Sequence, residues 1–153
     1  MRISLVRPSS LLTAGQISLS ITPPLGLAYV ASSLIGAGHQ VQAVDAVGEN
    51  VTQFAPHKGV FMLHGLRLEE TVDRIDPGAE LIGISTMFSH EWPHTRELIR
   101  LIRRRLPHAP IIVGGEHATA LAEFILETTP EVDACALGEG EESILAFTEA
   151  LSA

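Results

Sequence analysis

The sequence predicts an α/β fold, in which a five-stranded parallel sheet is covered by helices on both faces. Five short runs of apolar, β-forming residues alternate with five segments of helical periodicity, and this alternation is typical of parallel sheets. The 153 residues suit one domain that can bury its own core. Because no repeat, low-complexity tract or linker divides the chain, we treat residues 1–153 as a single domain.

The first β-α-β unit is the most readable part of the sequence. A strand is predicted at residues 2–6, followed by a polar, glycine-containing loop at 7–22. Residues 23–35 form a helix, since its two opening prolines suit a first turn and an apolar stripe follows them. Glycines end this helix, and a second strand follows at 40–45. A crossover of this kind is right-handed and places the two strands parallel.

The remaining elements continue the alternation after one segment that is hard to interpret. Residues 46–66 mix glycine and proline with short apolar runs, and we expect a long loop there. Further helices are predicted at 68–75, from 90 or 92 to 106, at 118–127 and at 141–151, and further strands at 80–85, 110–113 and 132–137.

Ligands of open α/β sheets bind beyond the carboxyl ends of the strands, where the strand order reverses. A flavodoxin-like (Rossmann-like) order of 2-1-3-4-5 places this site over the loops after strands one and three, flanked by the loops after strands four and five. Gly114 and Gly115 end the fourth strand. Paired glycines tolerate positive φ and allow the backbone to approach a large ligand. We expect a bulky residue at either position to abolish ligand binding and leave the fold intact.

Composition excludes several classes of protein. A formal charge of −8 argues against a nucleic-acid partner, which needs clustered Lys and Arg. No apolar run reaches the roughly 18 residues of a membrane span, so we expect no membrane partner. The amino terminus resembles a strand and not a cleavable leader, which predicts a cytoplasmic location. The one cysteine, Cys135, lies in an apolar run and is expected to be a buried, inert thiol.

Several short motifs occur in a fixed order along nearly the whole chain. They are Pro23-Pro24-Leu25-Gly26-Leu27-Ala28-Tyr29, Gly38-His39-Gln40-Val41, Asp45, Ile82-Gly83-Ile84-Ser85, Gly114-Gly115-Glu116-His117-Ala118-Thr119 and Gly138-Glu139-Gly140-Glu141. Together they resemble the N-terminal cobalamin-binding domain of class B radical S-adenosylmethionine (SAM) enzymes. The resemblance implies a flavodoxin-like fold, with cobalamin across the carboxyl ends of the strands and its nucleotide tail directed toward the sheet.

The resemblance also implies a set of cofactor contacts at the strand ends. They are Pro8, Ser85, Thr86, Met87, Gly114, Gly115, Glu116, His117, Gly138, Glu139 and Gly140. Other roles stay open for some of them. Ser85 and Thr86 either contact the ligand or cap the next helix, and the 138–142 segment either contacts the ligand or caps a helix with its carboxylates. His117 either caps a helix or contacts the corrin amides or a neighbouring domain.

Two departures from related patterns shape the expected function. Other cobalamin domains carry Asp-x-His-x-x-Gly after the first strand, whereas this chain has Arg-Pro-Ser-Ser-Leu-Leu at 7–12, so the resemblance implies a base-off cobalamin without a histidine ligand. His64 stays open as a ligand to cobalt. His90 and His94 have a spacing compatible with a metal, but no third ligand is evident nearby.

The second departure concerns the catalytic step. Radical SAM chemistry needs three cysteines to hold a four-iron cluster, and this chain has one. We therefore expect the cluster and SAM in a separate catalytic domain, in cis or in trans, with methyl transfer as the reaction. This chain alone is not expected to be catalytic, and it is either an excised domain or a stand-alone carrier.

Other functions of the same fold stay open at this point. A flavin- or nucleotide-binding domain needs a hydroxyl-rich loop after strand one, for which Thr13, Ser18, Ser20 and Thr22 are available. An interaction domain that has lost its cofactor is a further alternative. A receiver domain is strongly disfavoured, since Arg7 and Ser85 occupy the places of its acidic residues.

Overall fold

A computed structural model describes residues 1–13 and 22–153. Its strands are β1 (Arg2–Arg7), β2 (Ser10–Thr13), β3 (Gln40–Asp45), β4 (Phe54–His57), β5 (Phe61–His64), β6 (Leu81–Ser85), β7 (Ile111–Gly114) and β8 (Ala134–Ala136). Its helices are α1 (Leu25–Gly36), α2 (Leu68–Arg74), α3 (Trp92–Arg105), α4 (Glu116–Thr128) and α5 (Gly140–Ser152), with short 3₁₀ turns at Gly48–Asn50 and Ser89–Glu91.

The main sheet has five parallel strands in the order β3-β1-β6-β7-β8. Numbered along the chain within this sheet, the order is 2-1-3-4-5, so the predicted fold class is confirmed. Leu5 pairs with Gly83, and Gly83 pairs with Ile112. This register aligns the carboxyl ends of β1, β6 and β7 at one edge, where the chain passes into the loops that form the site.

Helices cover both faces of this sheet. On one face α1 and α5 enclose a core that includes Ile3, Leu5 and Leu34. On the other face α2, α3 and α4 enclose a larger core that includes Ile99 and Ile125. These side chains are at most 1% exposed, and burying each one fully contributes roughly 1.5–3 kcal/mol. Both cores pack against the strands whose carboxyl ends form the site.

A second sheet corrects the interpretation of residues 7–22 and 46–66 as loops. It has three antiparallel strands in the order β2-β5-β4. Each strand has only four residues, and the chain positions that pair, such as Leu11 and Leu63, are far apart in sequence. Such short segments carry little periodic signal, and Pro56 within β4 argues locally against a strand. Tertiary pairing therefore creates strands that local patterns do not predict.

The other predicted elements differ from the structure mainly at their ends. Helix α4 begins at Glu116, two residues before the predicted start, and β8 is shorter than the predicted strand 132–137. Within the ranges 1–13 and 22–153, every helix is too short or too polar to cross a membrane.

Candidate functional site

A cleft opens at the carboxyl edge of the main sheet, where the sequence predicts the ligand. Its volume is about 580 Å³, within the range of small-molecule and cofactor sites. The cleft extends from the strand ends down between the sheet and the helices α1 and α5. Apolar side chains line this inner part, namely Leu5, Leu27, Val30, Ile112 and Ile144.

Gly83 keeps the floor of the cleft open. It lies within β6, and a Cβ built on it would lie 2.7 Å from Leu5 Cδ2 and 3.4 Å from Ile144 Cδ1. Any side chain at this position would therefore overlap Leu5 and push against Ile144, two residues that line the inner part of the cleft. At the start of α5, a Cβ on Gly140 would lie 3.2 Å from Val30 Cγ2, so this glycine allows α5 to approach α1 closely.

The mouth of the cleft combines backbone groups with exposed apolar side chains. Ser85, Gly114 and Gly115 line it from the ends of β6 and β7. Met87 and Phe88 lie beside them and are 47% and 58% exposed. Exposed apolar side chains at the rim of a concave site indicate that a ligand or partner covers them.

Gly115 holds the loops after β6 and β7 together. Its φ of 114° and ψ of −177° lie in a region that is essentially restricted to glycine. A Cβ there would lie 2.7 Å from the carbonyl oxygen of Thr86. This carbonyl accepts a hydrogen bond from the His117 amide at 3.1 Å. This geometry argues against the expectation that a bulky residue at Gly115 leaves the fold undisturbed, because both the backbone conformation and this crossing favour glycine.

Arg7 fixes one corner of the cleft. Its guanidinium lies 3.4 Å from the Asp45 carboxylate and donates to the Thr22 carbonyl at 3.0 Å. These contacts join the ends of β1 and β3 to the segment that opens α1. Among the described residues that line the cleft, Arg7 is the one cation, and the carboxylates are those of Glu91, Glu139 and Glu141.

The structure brings most of the predicted contact residues to this cleft. The ones that line it are Pro8, Ser85, Met87, Gly114, Gly115, Gly138, Glu139 and Gly140. Thr86 and Glu116 do not line it: Thr86 is buried and donates its hydroxyl to the Gly114 carbonyl, whereas Glu116 points to solvent. The assignment of all these residues as cofactor contacts stays a prediction.

His117 does not line the cleft either. Its side chain is 3% exposed, its Nδ1 lies 2.9 Å from Ser89 Oγ, and its ring packs against Trp92 at 4.9 Å between centroids. Burial lowers the pKa of His117. This buried imidazole joins the start of α4 to the start of α3.

The other candidate histidines also lie outside the cleft. His64 donates from Nε2 to the Val51 carbonyl at 2.9 Å and stacks on Phe54. His90 Nε2 lies 3.4 Å from the Leu11 carbonyl, and His94 Nε2 lies 2.9 Å from Ser9 Oγ. The described ranges hold no group of three side chains placed to bind a metal ion.

Sequence reasoning missed several residues that line the cleft. Tyr29, Val30 and Ile144 belong to helices whose apolar stripes predict burial without saying what they face. The sequence pattern gives no indication of Glu91, because this residue contacts β2 and β2 is not predicted from the sequence. The predicted strand order could have identified α1 and α5 as walls of the cleft. Right-handed crossovers place α1 on the face of the sheet opposite α3 and α4, which leaves the face of α1 for α5 to cover.

Comparison with known proteins identifies the family of this chain and its cofactor. The sequence model of the B12 binding domain matches residues 16–148. The chain belongs to the B12-binding domain family. Vitamin B12 is cobalamin, so the predicted cofactor and the resemblance to a cobalamin-binding domain are confirmed. The flavin or nucleotide alternative loses its basis, and Ser18 and Ser20, on which it partly depended, lie outside the described residues.

Known relatives of this B12-binding domain are much longer proteins. It is 31% identical to cytidylyl-2-hydroxyethylphosphonate methyltransferase of Streptomyces wedmorensis, over 99% of this chain and 28% of the relative. It is 32% identical to an anaerobic magnesium-protoporphyrin IX monomethyl ester cyclase of Synechocystis sp., with the same coverage. An uncharacterised methyltransferase of Pyrococcus horikoshii is 26% identical over 99% of the chain and 30% of the relative. The chain therefore spans less than a third of these relatives.

The residues of the cleft fit cobalamin. The inner part between the sheet, α1 and α5 is apolar and is kept open by Gly83, which suits the flat base of the nucleotide tail. The mouth offers backbone groups at Gly114, Gly115 and Gly138, which suit the amide-bearing edge of a corrin.

Proposed function

We propose that this B12-binding domain holds a base-off cobalamin, its nucleotide tail in the cleft between the sheet and α1 and α5, for a radical SAM reaction in a separate catalytic domain. The cleft itself supports this function best. Its inner part is apolar, and its mouth is lined by the backbone of glycines at the predicted strand ends. In such a domain the residues bind and orient the cofactor, and the cofactor supplies the transferable methyl group.

The absence of a histidine ligand to cobalt is supported by the placement of the histidines. Within residues 1–13 and 22–153, no histidine lines the cleft. His64, His94 and His117 are each at most 3% exposed, and each has a ring nitrogen engaged with another protein group. The face of the corrin toward the protein would instead meet the loops after β1 and β6.

A catalytic partner domain is supported by the surface around the cleft. Residues 22–38, which lead into α1 and form it, include no charged side chain, although the chain carries a formal charge of −8. On α1 within this stretch, Leu25, Tyr29 and Ile35 are 64%, 62% and 58% exposed. Leu25 and Tyr29 also line the cleft, so the uncharged face continues from its rim. Such a surface suits burial against a neighbouring domain.

Methyl transfer is the proposed reaction of the complete enzyme. Two of the relatives described above carry the name methyltransferase, and one is named a cyclase. This domain would present the cofactor, with its exposed face directed away from the sheet toward the catalytic domain. The cluster and SAM belong to that domain, in cis or in trans.

Electron paramagnetic resonance of bound cob(II)alamin tests the coordination proposed here. The chain is mixed with cob(II)alamin under anaerobic conditions and separated from free corrinoid before the spectrum is recorded. We expect cobalt hyperfine lines without the further splitting that an axial nitrogen ligand causes. Nitrogen splitting that disappears in a histidine-to-alanine variant would contradict the absence of a histidine ligand.

A further inference from the structure

The three-stranded antiparallel sheet contacts α3 and the 3₁₀ turn before it through one polar face. His90, Glu91, His94 and Glu97 lie on this face at the spacing of successive helical turns. Each contacts the β1–β2 link, β2 or the β4–β5 turn: His90 and Glu91 contact Leu11, His94 contacts Ser9, and Glu97 pairs with Lys58. The second sheet is therefore attached to α3 along its length.

These attachments differ in strength. The Lys58–Glu97 pair is 2.6 Å long, but its side chains are 57% and 42% exposed, so water weakens it. The Glu91 carboxylate accepts the Leu11 amide at 3.0 Å in a partly buried setting. Leu11 is buried, and its amide would be left without this acceptor if the carboxylate were removed. A buried donor without a partner is costly, so Glu91 is the critical attachment.

Glu91 is also the attachment that lies at the cleft. It lines the mouth together with Met87 and Phe88 from the loop after β6, and with Pro8 and Ser10 from the segment that leads into β2. Burial raises the pKa of the Glu91 carboxyl, as expected for a group enclosed between these two segments. The loop after β6 and the antiparallel sheet thus meet at this carboxylate.

We infer that Glu91 is a positioning residue for the cofactor: it joins the antiparallel sheet to the loop after β6, so that the two form one wall of the cobalamin cleft. The inference rests on the proposed function, since it assigns a role to a residue of the same cleft. In this role Glu91 makes the second sheet, which is separate from the five-stranded sheet, contribute to cofactor binding. Loss of this join would let Pro8 and Ser10 move away from Met87 and Phe88.

Equilibrium binding of hydroxocobalamin to the 153-residue chain tests this inference. We expect Glu91→Ala to weaken binding about tenfold, as estimated from the cost of an unpaired buried amide, and Glu91→Gln to restore it because the amide oxygen accepts the same hydrogen bond. The matched control is Asp133→Ala. Asp133 accepts the Ile111 amide at 2.7 Å at the opposite end of the sheet, so its loss destabilises the fold without touching the cleft.

Three outcomes are distinguishable in this experiment. Weak binding by Glu91→Ala, with wild-type affinity in Glu91→Gln and Asp133→Ala, supports the inference. Equal affinity in all four proteins overturns it and leaves the proposed function standing. A folded wild-type chain that retains no corrinoid overturns the proposed function and this inference together.

Amide hydrogen exchange of the wild-type chain gives an answer even where Glu91→Ala does not fold. Exchange in peptides covering β2 and β5 is measured with and without hydroxocobalamin. We expect bound corrinoid to slow exchange in both strands, because it braces the wall to which they belong. Exchange that slows at Gly114 and Gly115 but stays unchanged in β2 and β5 would overturn the inference.

Discussion

At the scale of single residues, Gly114 and Gly115 have different physical roles although they are adjacent. Gly115 has a backbone conformation restricted to glycine, and a Cβ on it would meet the Thr86 carbonyl at 2.7 Å. A Cβ on Gly114 would lie 3.3 Å from Ala136 Cβ, a tight but tolerable contact. The sequence shows only that two glycines are adjacent. The backbone dihedral angles show that the conformation of Gly115 requires glycine, whereas Gly114 only provides a contact surface.

This difference predicts unequal stability effects for two matched substitutions. Gly115→Ala should lower the free energy of unfolding by about 2–3 kcal/mol, because it adds backbone strain and a clash with Thr86. Gly114→Ala should cost less than about 1 kcal/mol, since only a small adjustment against Ala136 is needed. Urea denaturation of the three proteins measures both values. Equal losses in the two variants would show that the strain assigned to Gly115 is absent.

His94 predicts a dependence of stability on pH. Burial, with a smaller effect of nearby His57, lowers the pKa of His94 to about 4, whereas an unfolded histidine titrates near 6.5. Between these values the unfolded chain binds the extra proton. The contribution of His94 to the free energy of unfolding is therefore fully present above about pH 6.5. It is lost, by up to about 3 kcal/mol, as the pH drops toward 4. The titratable groups that face His94 are His57, Lys58 and Glu97.

Thermal unfolding between pH 4.5 and 7.5 checks this dependence, with His94→Gln as the comparison. The wild-type midpoint should fall more steeply with decreasing pH than that of the variant, at about 2–4 °C per kcal/mol for a domain of this size. The Glu91 carboxyl, whose pKa is raised, acts in the opposite direction but is present in both proteins. Parallel curves for the two proteins would contradict the assigned burial effect on His94.

At the scale of elements, the ion pair between Arg7 and Asp45 joins the ends of β1 and β3. Each side chain is 21% exposed, so the pair is partly shielded from water. A double-mutant cycle with Arg7→Ala and Asp45→Asn should give a coupling free energy of about 1 kcal/mol. Asparagine suits this test because it can still accept the Val47 amide that Asp45 accepts at 3.2 Å. Urea denaturation supplies the four stabilities, and strictly additive losses would show that the pair contributes nothing.

The elements also show where sequence reasoning succeeds and where it stops. The five strands of the main sheet were predictable because runs such as Ile111-Ile112-Val113 are continuously apolar and end at glycine. The four-residue strands of the second sheet were not, because partners such as Leu11 and Leu63 are brought together only by the fold. The site divides in the same way: the glycine loops were predictable, whereas Glu91 and the walls from α1 and α5 depend on tertiary packing.

At the scale of the whole molecule, one sheet edge gathers the features that bear on cobalamin. The strand order 2-1-3-4-5 places the ends of β1, β6 and β7 side by side, and the cleft continues from them between the sheet and α5. The uncharged face of α1 extends from the rim of this cleft. Cofactor binding and the proposed docking of a catalytic domain thus occupy adjoining surfaces.

Equilibrium dialysis of the chain against hydroxocobalamin, for the wild type and for Gly83→Val, tests the central claim most directly. The wild type should bind one corrinoid per chain, detected by its visible absorbance. Gly83→Val should bind little or none, because its side chain fills the floor of the cleft beside Leu5 and Ile144. Circular dichroism confirms that both proteins are folded. A folded wild type without bound corrinoid would contradict cobalamin binding, and equal binding by Gly83→Val would contradict the placement of the tail in this cleft.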